Sequence, residues 1–172
     1  VREPKPIYAQ GFFHLRGNGL VDQTIIFDYY DPDNYYHRLL RQRLRLRQEL
    51  EILKNNMQYY LDQERVLING VDASPKVVHV EIGVRGKPDL AYIVFLIKFK
   101  GELVRGLNTY ENIYEEEIVD YDYTVYWIFP ENTRVIEAEL GVPYNVYSDR
   151  ILFFKVPRGT RVGGYEKIVF EV

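Results

Sequence analysis

The chain has 172 residues, no cysteine, and a formal charge of -3 from 22 basic and 25 acidic side chains; 47% of it is hydrophobic and 27% charged. Such a chain reads as one globular domain, 1–172, able to bury roughly 70% of the surface its unfolded form exposes, and its composition excludes a disordered polymer. The missing cysteine excludes disulfides, thiolate metal sites and cysteine nucleophiles. No apolar run reaches the ~18 residues of a membrane span, and the balanced charge excludes nucleic-acid binding through the whole surface.

Residues 7–29 read as a hairpin. Two alternating segments, with Ile7, Ala9, Phe13 and Leu15 on one apolar face and Val21, Ile25 and Phe27 on the other, flank Gly17-Asn18-Gly19, a triplet that tolerates the positive φ of a tight turn. At Asp31-Pro32-Asp33-Asn34 the period changes to that of a helix, with an acceptor at the cap and proline at the first helical position. No Gly or Pro then intervenes before Glu64. The spacing predicts one amphipathic helix over 32–64, about 45 Å long at 1.5 Å per residue. Its stripe is Leu39, Arg43, Leu46, Leu50, Leu53, Met57 and Tyr60.

From residue 66 to 172 the chain reads as strands. Residues 76–84 alternate, placing Val78, Val80, Ile82 and Val84 on one face and His79 and Glu81 on the other, while 91–100 is apolar on both faces, as a central strand is. Further extended segments fall at 107–119, 121–129, 134–140, 150–156 and 165–172, bounded by Gly or Pro turns. The expected fold class is α+β: an N-terminal hairpin, one long amphipathic helix, and a mostly antiparallel sheet or sandwich of about six strands. Only two serines, one methionine and an excess of Tyr, Arg, Glu, Ile and Val give a thermophile-like composition.

Three groups of residues bear on function. The stripe Leu39–Tyr60 is a candidate protein interface, and Arg43, the one charge in it, is placed to meet a carboxylate or to set register. Arg38, Arg41 and Arg45, with Arg43 and Arg47, crowd behind Tyr29, Tyr30, Tyr35 and Tyr36, the guanidinium-plus-ring composition of a single-strand nucleic-acid binder. Pairing of Arg45 with Glu49 and of Arg47 with Glu51 at i,i+4 is the structural alternative. Six carboxylates between Glu111 and Asp122 suggest a cation site or a hydrolase acid–base pair, although the fixed order of a calcium loop is absent.

His14, His37 and His79 lie on three separate elements without metal-ligand spacing, so neither a metal nor a cofactor is expected. Neither serine sits in G-x-S-x-G and no phosphate loop is complete. The favoured function is a non-enzymatic module for protein–protein interaction or assembly, with a protein partner or homo-oligomer; weak nucleic-acid binding is the alternative and a carboxylate site around 111–122 the third reading. No membrane partner is expected. A cytoplasmic location is expected, since no Asn begins a glycosylation sequon.

Overall fold

The computed structural model describes residues 1–172 and is mostly β, with 52% of residues in strands and 15% in helices. The elements run β1 (Lys5–Leu15), β2 (Leu20–Tyr30), α1 (Tyr35–Leu39), α2 (Arg43–Gln63), β3 (Arg65–Ile68), β4 (Val71–Asp72), β5 (Lys76–Val84), β6 (Leu90–Lys100), β7 (Leu107–Ile113), β8 (Glu117–Ile118), β9 (Asp122–Ile128), β10 (Arg134–Glu139), β11 (Tyr144–Tyr147), β12 (Ile151–Val156), β13 (Arg161–Val162) and β14 (Tyr165–Glu171). They form a seven-stranded sheet in the order β11-β12-β9-β1-β2-β6-β5, a five-stranded sheet in the order β10-β14-β7-β3-β4, and a ribbon of β13 with β8. The expectation of one long helix and a single sheet or sandwich of about six strands is therefore corrected: there are two helices and three sheets, and twelve strands follow the helices.

The helix over 32–64 divides because its first half has no negative charge to offset its arginines. No acid lies between Asn34 and Gln48, and the pairs Arg38/Arg41, Arg41/Arg45 and Arg43/Arg47 stand at the three- and four-residue spacings where like charges repel. The hydrogen-bond ladder tightens to Arg41 N–H donating to Arg38 O and Gln42 N–H to Leu39 O, and Gln42 leaves helical space at φ -114°, ψ 83°. The start shifts too. Asn34, in the left-handed region at φ 56°, precedes the first helical residue, while the buried Asp31 accepts from the Tyr36 N–H at 2.8 Å.

The hairpin lies at the centre of the large sheet. β1 pairs antiparallel with β2 and parallel with β9, a contact across more than a hundred residues that no local pattern announces. Gly19 closes the hairpin turn at φ 86°, where a Cβ would sit 1.9 Å from the Gly101 carbonyl oxygen. β5 carries a bulge between Val77 and His79, so Val77 turns inward and Val78, expected on the apolar face, is 47% exposed. The extended segment over 107–119 comprises two strands, β7 and β8.

One face of the large sheet receives both covers. The five-stranded sheet packs over Leu15, Val21, Phe99, Trp127, Leu152 and Phe154; the helices pack over Val77, Val80, Ile82, Ile93, Phe95 and Ile97. Trp127 is the keystone of the first core, stacked on Phe13 at 4.4 Å and tilted against Tyr110 at 4.5 Å. The buried Asn108 closes the loop before β7, donating to the Val104 and Gly106 carbonyls and accepting from the Val104 N–H and from Asn69. The opposite face of the large sheet is bare and carries a row of rings, Phe12 on Tyr126 at 5.3 Å and Tyr126 on Phe153 at 4.8 Å.

Candidate functional site

Two places in this fold gather chemistry: the basic surface of α2 with the cleft beside it, and a group of acids and phenols at the end of the five-stranded sheet. Gln58 fixes the first. Its side chain accepts from the Val77 N–H at 2.9 Å and donates to the Pro75 carbonyl at 3.1 Å, which ties the C-terminal half of α2 to the start of β5. Leu39 is buried, and Leu46, Leu50, Leu53 and Met57 pack half-buried on the chain's own sheet. The stripe read as an interface is thus occupied largely by this sheet, and Tyr60 and Arg43 face solvent.

Between α2 and β5 lies an open cleft of about 370 Å³, with Leu46, Leu50, Val78 and Val80 in its floor and Arg43, Arg47, Glu51, Lys54 and His79 around it. None of Arg38, Arg41, Arg43, Arg45, Arg47 or Lys54 lies within ion-pair distance of a carboxylate; every ion pair of the protein is elsewhere. The pairs Arg45–Glu49 and Arg47–Glu51 do not form. Arg45 instead donates to Gln42 at 3.0 Å, and Glu49 lies near enough to Tyr36 to help raise its phenol pKa, second to burial and Tyr29. The first turn of α2 holds no acid and no side chain caps it, so arginines crowd the end of the helix where the backbone dipole is positive. That arrangement weakens the helix and concentrates positive potential on one surface of a net-negative chain.

The tyrosines beside these arginines are mostly packed on one another. Tyr36 is buried, Tyr29 and Tyr35 pack edge-to-face against it at 5.8 and 5.2 Å, and only Tyr30 stands exposed. Burial raises the Tyr29 phenol above its usual pKa. The arginines are therefore free for anions, while of the four rings Tyr36 is buried, Tyr29 and Tyr35 are partly buried against it, and Tyr30 is the one left exposed.

The second place was invisible to motif reading. Alternation along β14 sets Glu166 on the same face as the buried Ile168 and Phe170, and along β7 sets Asn112 with Tyr110. Glu166 and Asn112 are cross-strand partners, and Asn112 also opposes Val66. Asn112 donates to Glu64 at 3.4 Å and Tyr114 donates to Glu166 at 3.5 Å. Desolvation and the neighbouring Glu64 raise Glu166 to about 7, against a partial opposing effect of the Tyr114 bond. Burial raises Glu64 as well, with Asn112 opposing, and pushes up the phenols of Tyr110, Tyr114 and Tyr123. No cation enters the group. The signal that marks it in sequence is an acid in register with core residues, Glu166-x-Ile168-x-Phe170.

The carboxylates read between 111 and 122 disperse. Tyr165 donates to Glu111 at 2.6 Å, Arg161 pairs with Glu116 at 2.8 Å, and Asp122 accepts from the Arg158 N–H. They converge on no common point, and no three acid or histidine side chains are arranged to hold a metal ion. His14, His37 and His79 stay apart; His79 lies 3.8 Å from Glu81 on the exposed edge.

No family model matches the chain, and no curated protein matches it. Among solved structures it is similar to the folded domain of the Mycobacterium tuberculosis protein LppM, at 9% identity and a TM-score of 0.45, over 98% of this chain and 91% of that one. It is also similar to an M1 zinc metallopeptidase from Deinococcus radiodurans, at 9% identity and a TM-score of 0.43, over 99% of this chain and 43% of that one. The chain thus spans less than half of the peptidase. Likeness at these scores assigns neither family nor activity. No helix is long and apolar enough to cross a membrane.

Proposed function

We propose that this domain is a non-enzymatic protein-interaction module that receives an acidic, partly apolar segment of a partner in the cleft between α2 and β5. The observation that carries the reading is the set of six unpaired cations on α1, α2 and the connection between them, three of them lining a cleft with an apolar floor. A folded chain of net charge -3 has acids enough to neutralise these arginines internally. It leaves them free and sets Arg43 and Arg45 in the first turn of α2 against the helix dipole, at a cost of some tenths of a kcal/mol each. Stability does not account for that placement, and an anionic partner does.

The floor supplies what charge alone does not. Leu46, Leu50, Val78 and Val80 offer apolar area for alternate side chains of an extended or helical segment, and the rim cations select acidic flanks, dividing affinity and specificity as peptide grooves commonly do. Phage-display selection from a random peptide library tests the reading. The expected outcome is enrichment of sequences that combine Asp or Glu with Leu, Ile or Val, lost when Arg43→Glu and Arg47→Glu are introduced together. Enrichment of sequences without acids, or selection indifferent to those two charges, overturns it.

A further inference from the structure

The two main sheets have four free edges, and three of them are protected against pairing with another chain. β5 has a bulge at Val78, the charges of Lys76 and Glu81, and α2 tied to its start through Gln58. β10 has a bulge between Val135 and Glu137 and carries Arg134, Glu137 and Glu139. β4 is two residues long and ends in Asp72. Bulges, inserted charges and shortness are the devices by which edge strands are kept from adding to one another.

β11, although only four residues long, has neither a bulge nor a charge. Its sequence is Tyr144-Asn145-Val146-Tyr147, all four residues are exposed, and its register with β12 is uninterrupted. Its outward row of backbone N–H and C=O groups is an open template. The strand is also compatible with itself: a two-fold axis perpendicular to the sheet and centred on Val146 sets Val146 against Val146 and Asn145 against Tyr147, with no charge facing a charge. Side chains that oppose each other then share a face, as antiparallel pairing requires. The row of rings on the bare face, Phe12, Tyr126 and Phe153, leads to Asn145 by cross-strand pairing, and the two-fold continues it through the second copy's Tyr147.

We infer that β11 is the contact through which a second copy of this chain adds to the seven-stranded sheet, giving an antiparallel two-fold dimer with one continuous sheet of twice that width. The occupant is a second copy because the edge is uncharged and self-complementary, whereas the acidic segment proposed for the α2–β5 cleft lies at the opposite edge of the same sheet. In this register three residues of each β11, Asn145–Tyr147, pair with their counterparts, so the interface falls below the 1,200 Å² or so of a standard complex and the dimer is a weak, reversible one.

Sedimentation equilibrium of the full chain over a range on the order of 10–500 µM tests this. The weight-average mass should rise with concentration from the 20.5 kDa monomer towards twice that value, and the rise should persist at high salt. Asn145→Lys and, separately, Val146→Lys should hold the mass at the monomer value with melting temperature unchanged, while Arg43→Glu should leave dimerisation intact. Monomer at every concentration, or a dimer indifferent to both edge lysines, overturns the inference. The two sites fail independently, since neither β11 variant touches the cleft.

Discussion

Replacing Glu166 by Gln should stabilise this protein at neutral and alkaline pH and flatten the dependence of its stability on pH. Glu166 stands at a core-facing position of β14 beside Glu64, and burial followed by that second carboxyl raises it from 4.5 to about 7. A carboxyl whose folded pKa is raised keeps its proton in the folded state after the unfolded chain has lost it, so stability is fully present below the unfolded pKa and declines as pH rises through the window from 4.5 to about 7. At about 1.4 kcal/mol per unit, the displacement corresponds to a loss of up to about 3 kcal/mol by pH 8. Because Glu64 is raised too, the two acids titrate as a pair. Gln keeps the volume and accepts the Tyr114 hydroxyl without ionising. Urea unfolding of both proteins between pH 4.5 and 8.5 should show curves that meet near pH 4.5 and diverge by up to about 3 kcal/mol in favour of the variant. A constant difference across that range, or a variant less stable at pH 8, refutes the reasoning.

Leu53→Ala should lower stability by about 2 kcal/mol, because the side chain packs half-buried between α2 and the sheet, whereas Tyr60→Ala, at a side chain 64% exposed, should change it by less than about 0.5 kcal/mol; thermal denaturation followed by circular dichroism compares them. Gly19→Ala should cost more than about 1 kcal/mol, since it meets both a positive φ and the Gly101 carbonyl oxygen, and urea midpoints read the difference. Binding of a fluorescein-labelled oligo-dT should be weak and fall with salt at a slope of about -0.7 per phosphate contacted, for Tyr36 is buried and Tyr29 and Tyr35 are partly buried against it, so the arginines carry most of the contact; anisotropy titrations at several salt concentrations measure it.

Much of the strand content was legible because alternation and turn chemistry are local. The hairpin around Gly17-Asn18-Gly19 and the strands β5 and β6 follow from residues within a few positions of one another, although β6, read as a central strand apolar on both faces, lies next to the edge strand β5 with one face partly exposed. What escaped depends on distance or on small irregularities. The parallel pairing of β1 with β9 and the division of the strands into two sheets are set by partners far along the chain. The bulge that turns Val78 outward leaves the alternation of Val and His unaltered in sequence. The helix break was legible in principle, in the run from Asn34 to Gln48 without an acid, but the uninterrupted leucine spacing outweighed it. β11 escaped because a strand exposed on both faces has no alternation to read.

The candidate sites divide in the same way. The crowding of arginines on α2 was plain in the sequence; that they remain unpaired was not, because the i,i+4 spacing to Glu49 and Glu51 promised partners that the side chains do not take. Glu166 is the reverse case. It looked like one charge among many near the C-terminus, yet the position two residues before Ile168 and four before Phe170 already assigns it to the core face.

The most direct test of the proposed site is isothermal titration of the 172-residue chain with one peptide from the acidic, apolar-containing class named above, obtained by display selection, against wild type and the Arg43→Glu/Arg47→Glu double variant. Binding to wild type should saturate at one site per chain, weaken at least tenfold in the double variant, or by about 1.4 kcal/mol, and weaken again with salt. Equal affinity for the two proteins would contradict that expectation.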